Sequence, residues 1–189
     1  MQIKDIYSKI IEHQIEGIML HEQASKMLDF LGFRGLKRWQ EYRYICEGME
    51  MRSTNRYVIN HHNMMVSEGK PTDPELIPMS WYSYTRYEVD SRTKQAALKD
   101  FFEKLKSWEM ETKKLYSDLY KDACNEGYIA DALKIKSLIE HVDKELKCVE
   151  RKYLEYKTVE FDLPYIMFEQ CDMHEKYKHK EKEIGIDMN

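Results

Sequence analysis

Two glutamates stand where a helix ought to be apolar. From Gly35 to about His62 the chain reads as one long helix, and at 100° per residue Leu36, Trp39, Thr54, Tyr57 and Val58 share a face. Glu47 and Glu50 fall in the middle of that face, while Arg38, Glu41, Arg52 and Arg56 point the other way. The oddity recurs downstream. Glu109 lies among Leu105, Trp108, Thr112 and Tyr116, and Asp143 sits at the edge of a face set by Ile139 and Leu146. A carboxylate in an apolar core costs several kcal/mol unless it is paired or neutralised. Carboxylates converging from several helices also repel one another, and a divalent ion with hard oxygen ligands removes that repulsion. The alternatives are a reach to the bundle end or pairing with Arg43 or His61, which lie on the same side of the helix as Glu47 and Glu50.

The elements that must position these acids follow from period and punctuation. A first helix is expected from about Ile3 to Leu31, with Ile3, Ile6, Ile10, Gly17, Ala24, Leu28 and Leu31 along one side. GFRG closes it and the second helix follows at once, so the two are antiparallel neighbours. After His62 comes SEGKPTDPELIPMSWYSYTRYEVD, which holds three of the four prolines and no helical period. It reads as a long crossover with WYSYTRY on the bundle surface. A third helix runs from about Ser91 to Cys124, NEGY caps it with Gly127 at a positive-φ position, and a fourth runs to about Thr158. FDLP then starts a fifth near Pro164, since proline suits the first helical turn. The expectation is a single domain over 1–189, with the bundle at about 3–158 and a C-terminal helix at about 163–183.

Heights follow from folding each hairpin about its turn. Glu109 and Asp143 are equally far from Glu126 and so lie level, and folding about Phe33 sets Glu47 level with Met19 and Glu50 level with Glu16. Copying the Glu109–Asp143 spacing onto the first pair matches His13 with Glu47 and Glu16 with Glu50. Glu16 lies off its helix face, His13 is nearer, and His21 is central but a turn too low. Elsewhere, His61 and His62 suit the dipole at a helix C-terminus, Gln170 and His174 share a packing face, and Tyr116 lies about two turns from Glu109.

Composition narrows the classes of function. The 189 residues are 42% hydrophobic and 34% charged, with only 7 Gly, which favours long helices around a sizeable core. A net charge of −4 with scattered basic residues argues against nucleic acid as a partner. Cys46, Cys124, Cys148 and Cys171 form no close pair, so neither a zinc site nor a disulfide scaffold is expected. The N-terminal stretch has no apolar signal core, and no run approaches a membrane span. A cytoplasmic protein without membrane contact is expected. No nucleotide-binding or hydrolase motif is present.

One short loop, one long crossover and one more short loop is the connectivity of ferritin-like bundles, and local sequence resembles that superfamily too. EQASKML followed by GFRGLKRWQEYRYICEGMEM is similar to the end of a ferritin first helix, a glycine-rich turn and a second helix with an acid, acid, histidine pattern, matched here by Cys46, Glu47 and Glu50. WEMETKKLYSDLYKDACNEG resembles the third helix, with Glu109 at its ligand position, and IEHVDKEL the fourth, with Asp143 as ligand or else Glu140 or Glu145. The histidine positions carry Glu50 and, on the fourth helix, EHVD. The resemblance implies an all-α ferritin-like four-helix bundle with one long crossover and an added C-terminal helix. It further implies a di-iron or di-manganese centre, two ions per chain, held by Glu47, Glu50, Glu109, Asp143 and a first-helix residue, His13 or Glu16. That centre implies metal storage, metal oxidation or small oxidase chemistry in a homo-oligomer. The competing expectation is a metal-free bundle acting as an interaction or assembly protein.

Overall fold

The computed structural model describes residues 1–184; residues 185–189 of the single-domain expectation lie outside it. Among the described residues there are five α-helices: α1 Ile3–Leu31, α2 Arg34–His62, α3 Ser91–Asn125, α4 Ile129–Thr158 and α5 Leu163–Glu183. Two 3-10 turns, Met79–Ser83 and Arg86–Glu88, lie in the crossover. Among the described residues no helix is long and apolar enough to cross a membrane.

Contacts fix the directions. Thr54 meets Gln14 and Gln40 meets His21, so α1 and α2 run antiparallel. Lys113 pairs with Asp143, Lys106 with Glu150 and Glu103 with Tyr153, so α3 and α4 do too. Arg43 meets Glu109 and Trp39 meets Phe102, which makes α2 and α3 parallel. Parallel neighbours need a connection as long as the helix itself, and residues 63–90 supply it. That segment is strapped along the outside of α1 in increasing order. The Lys70 and Thr72 amides donate to Glu12 and Glu16, that of Leu76 donates to Gln23, and Arg86 donates to the carbonyls of Asp29 and Phe30.

The short turns have local causes. Gly32 caps α1 at φ 91°, a left-handed conformation open to glycine, and the amide of Phe33 donates back to the Leu28 carbonyl at 2.8 Å. Asp90 caps α3 by accepting from Thr93, Asp162 caps α5 by accepting from Tyr165, and Pro164 sits in the first turn of α5.

α5 runs parallel to α2, and the polar face of α2 does not meet solvent there. Arg38 and Glu41 lie beneath α5, and Arg38 pairs with Glu181, which is only 1% exposed. The crossing is close at Gly35, where a Cβ would lie 2.5 Å from the Gln170 carbonyl oxygen and 2.8 Å from the Met173 Cβ.

Buried apolar side chains form two groups. One, around Leu28, Leu36, Phe101, Phe102, Val149 and Tyr156, lies at the end of the bundle where α1 turns into α2. The other, around Ile6, Ile10, Val58, Leu119 and Ile135, lies at the opposite end. Polar side chains from α1 to α4 fill the layer between them.

The Gly35 contact is with backbone, which cannot swing aside, so Gly35→Ala should cost about 1–3 kcal/mol in urea unfolding. Gly48, with nothing within 4 Å of its added Cβ, is the control. Gly48→Ala should leave stability unchanged or raise it by up to about 1 kcal/mol.

Candidate functional site

The middle layer is organised around one cation. Arg43, 4% exposed, projects from α2 between α3 and α4. Its Nη2 donates to Glu109 Oε1 at 2.6 Å and to Glu145 Oε2 at 2.8 Å, and lies 3.8 Å from Glu47 Oε1. Glu145 uses its other oxygen for His141 Nε2, at 3.1 Å. Four carboxylates, Glu47, Glu50, Glu109 and Glu145, thus face two cationic side chains.

That imbalance shapes the electrostatics. Burial, reinforced by the charge of Glu145, pushes the Glu47 carboxyl well above its ordinary range, and Arg43 offsets only part of this. Burial also raises Glu50, against the charge of His141. Glu145 goes down: burial would raise it, but Arg43 and His141 together win. His141 is raised to about 9, chiefly by its bond to Glu145. Burial raises Glu109 as well, although Arg43 bonds it, so of the four acids only Glu145, which meets both cations, is lowered.

The remaining expected site residues separate. Asp143 lies at the surface, 2.7 Å from Lys113 Nζ, and is not brought to the cluster. On α4 the inward stripe is Leu138, Val142, Glu145 and Val149, so Glu145 carries the carboxylate inward. Glu16 turns outward, accepting from the Thr72 amide at 2.8 Å in the crossover, with His13 Nδ1 at 3.4 Å. The His13 ring stacks on Trp108 at 4.1 Å and its Nε2 meets Thr112 Oγ1 at 2.7 Å. The Thr112 hydroxyl already donates to the Trp108 carbonyl, so His13 carries its proton on Nε2. Burial lowers its pKa, against the pull of Glu16.

Gln14 is the residue of α1 that reaches the layer. It is 1% exposed, its Nε2 donates to Thr54 at 3.3 Å, and its Oε1 accepts from no described residue. Gln14, His13, Glu47, Glu50, Glu109 and Glu145 border a void of about 10 Å³, room for roughly one water molecule. Two turns further along α1, the fully buried His21 binds Gln40 Oε1 through Nδ1 at 2.7 Å and is held near 3 by burial and by Arg43. Gln170 belongs to packing, accepting from the Leu36 amide, and His62 pairs with Asp131 at 2.7 Å.

A dinuclear centre needs a point where carboxylates and imidazoles converge on ions, with oxygen ligands at about 2.0–2.6 Å. Here the point between Glu109 and Glu145 is filled by a guanidinium nitrogen. Of the imidazoles at the layer, His13 donates from Nε2 to Thr112 and His141 is paired through Nε2 with Glu145. Among the described residues no group of three or more His, Cys, Asp or Glu is arranged to hold a metal ion. The residues present do not fit a two-metal centre.

The ion pair of His141 sets a pH dependence. The folded chain binds this proton more tightly than the unfolded chain does, so the pair's contribution is complete below about pH 6.5 and fades as pH rises through about 9. His141→Gln should lower the melting temperature near pH 6, and the gap to wild type should close by about pH 10. Thermal melts across that range test it.

No family model matches the chain, and no curated protein matches its sequence. Solved structures do match. A ferritin of Archaeoglobus fulgidus engineered into a closed form aligns with a TM-score of 0.70 at 15% identity, over 92% of this chain and 96% of its own. The open-pore ferritin of the same hyperthermophilic archaeon gives 0.70 at 16%, over 90% and 93%. A humanized archaeal ferritin gives 0.71 at 14%, over 90% and 94%. Agreement across nine-tenths of both chains at so low an identity is agreement in the path of the backbone, and the chain has the ferritin-like four-helix-bundle fold.

Proposed function

We propose that this chain is a ferritin-like bundle that works by assembly and contact, with its central acids neutralised from within. The observation that carries the reading is Arg43, whose Nη2 bonds Glu109 and Glu145 where the carboxylates converge. The surface supports it. Met79, Tyr82 and Tyr87 of the crossover are 83%, 71% and 95% exposed, and Phe168 on α5 is 82% exposed. Apolar side chains of that kind favour contact with other protein surfaces. The partner in this reading is a further copy of the chain, giving a cytoplasmic homo-oligomer, dimer or larger.

A second reading keeps the di-iron or di-manganese centre, in storage, metal oxidation or small oxidase chemistry. What favours it is the surplus of acids, four carboxylates against two cations. It requires Arg43 to leave the layer.

Elemental analysis and light scattering of protein purified without chelator separate the two. The assembly reading expects far less than one iron or manganese per chain and an oligomer that survives EDTA. About two ions per chain would overturn it. Single substitutions add a second axis. Burial pushes the Glu47 carboxyl well above its ordinary range and so favours its uncharged form, and Glu47→Gln, which is uncharged, should leave stability unchanged or higher. Glu109→Gln keeps an acceptor oxygen but takes the counter-charge from Arg43's shortest contact and should cost on the order of 3 kcal/mol in urea unfolding.

A further inference from the structure

We infer that Arg43 is the resident cation of this bundle: its guanidinium does the work of a divalent ion among Glu47, Glu109 and Glu145, and while it stays there the layer refuses metal. The inference rests on the metal-independent reading above and extends it to what holds, and what closes, the layer.

Three observations carry it. First, one nitrogen, Nη2, bridges carboxylates from two helices at 2.6 and 2.8 Å, with Glu47 of a third, its own α2, at 3.8 Å. Drawing acids from separate helices onto one positive centre is what a bound ion accomplishes. An ion coordinated by those same oxygens would sit against a guanidinium that stays charged at any physiological pH. Second, the cation is built into the chain. Arg43 lies one turn before Glu47 on α2, so it is present at one equivalent whatever the metal supply. Third, the remaining helix of the bundle, α1, brings a neutral amide to the layer. Gln14 borders the same void as Glu47, Glu50, Glu109 and Glu145, and its buried Oε1 has no donor among the described residues. A further carboxylate there would outrun one arginine, whereas an unpartnered amide oxygen is a hard ligand waiting for a cation.

Removing the guanidinium leaves Glu47, Glu109, Glu145 and Gln14 Oε1 around one void with no cation among them, hard oxygen donors that must shift together to take an ion such as Mn²⁺. The test is a thermal melt of the full chain in EDTA and in MnCl₂, with bound Mn²⁺ counted by electron paramagnetic resonance. Wild type should bind no stoichiometric Mn²⁺ and melt at the same temperature in both. Arg43→Gln should melt lower in EDTA, bind Mn²⁺, and recover about 5–10 °C at saturating metal. Arg43→Lys, which keeps a cation, should bind none. If Arg43→Gln does not fold in EDTA, recovery of folded protein on refolding in MnCl₂ supports the inference and no recovery overturns it. Stoichiometric Mn²⁺ on wild type sinks this inference and the metal-independent reading together. A wild type and an Arg43→Gln that both bind none sink this inference alone, leaving that reading intact.

Discussion

Everything in the middle of this bundle answers to the cost of burying charge. Glu109, 1% exposed, and Arg43, 4% exposed, sit between two apolar cores where an unpaired ion would be strongly destabilising. The layer therefore closes on itself. Arg43 holds α3 and α4 through Glu109 and Glu145, His141 takes the second oxygen of Glu145, and burial pushes the Glu47 and Glu50 carboxyls upward, toward the uncharged form. The pairing is weak evidence for stability in its own right, since a well-packed apolar layer would serve as well. A layer of directional bonds tolerates one register of four helices, whereas apolar contacts alone tolerate several.

Connectivity follows from the same arrangement. Arg43 on α2 and Glu109 on α3 meet because those helices are parallel, and they are parallel because residues 63–90 return the chain along α1. The return path also explains Glu16. A carboxylate that by height belongs near the cluster is spent instead on an amide of the strap. α5 completes the enclosure from the far side of α2, where the absence of a side chain at Gly35 lets the two helices touch.

Much of the fold was legible in the sequence, because long helices with a strong 3.6-residue period and few glycines and prolines leave little ambiguity. The first helix was expected to end at Leu31 and does, and the long crossover was read from its prolines and from the loss of period. The site was legible only in part. Folding the hairpins gave the heights of Glu47, Glu50 and Glu109, but height says nothing of rotation. Asp143 is level with Glu109 yet points to Lys113, while Glu145 lies in the stripe of Val142 and Val149. Spacing of three and four residues from those two valines is the signal that points to Glu145, against the expectation of Asp143. Arg43 was visible as a base on the acidic side of its helix. Its reach to acids of two other helices depends on interhelical packing, which period does not encode.

Placing the positive charge on α2 bears on the order in which the chain is made. The helical pair α1–α2 leaves the ribosome before α3 and α4, with Arg43 and Glu47 already one turn apart. The nascent hairpin thus carries a counter-charge for its own buried acid long before α3 and α4 exist, whereas a layer closed by metal would stay repulsive until all four helices had met and an ion had been found.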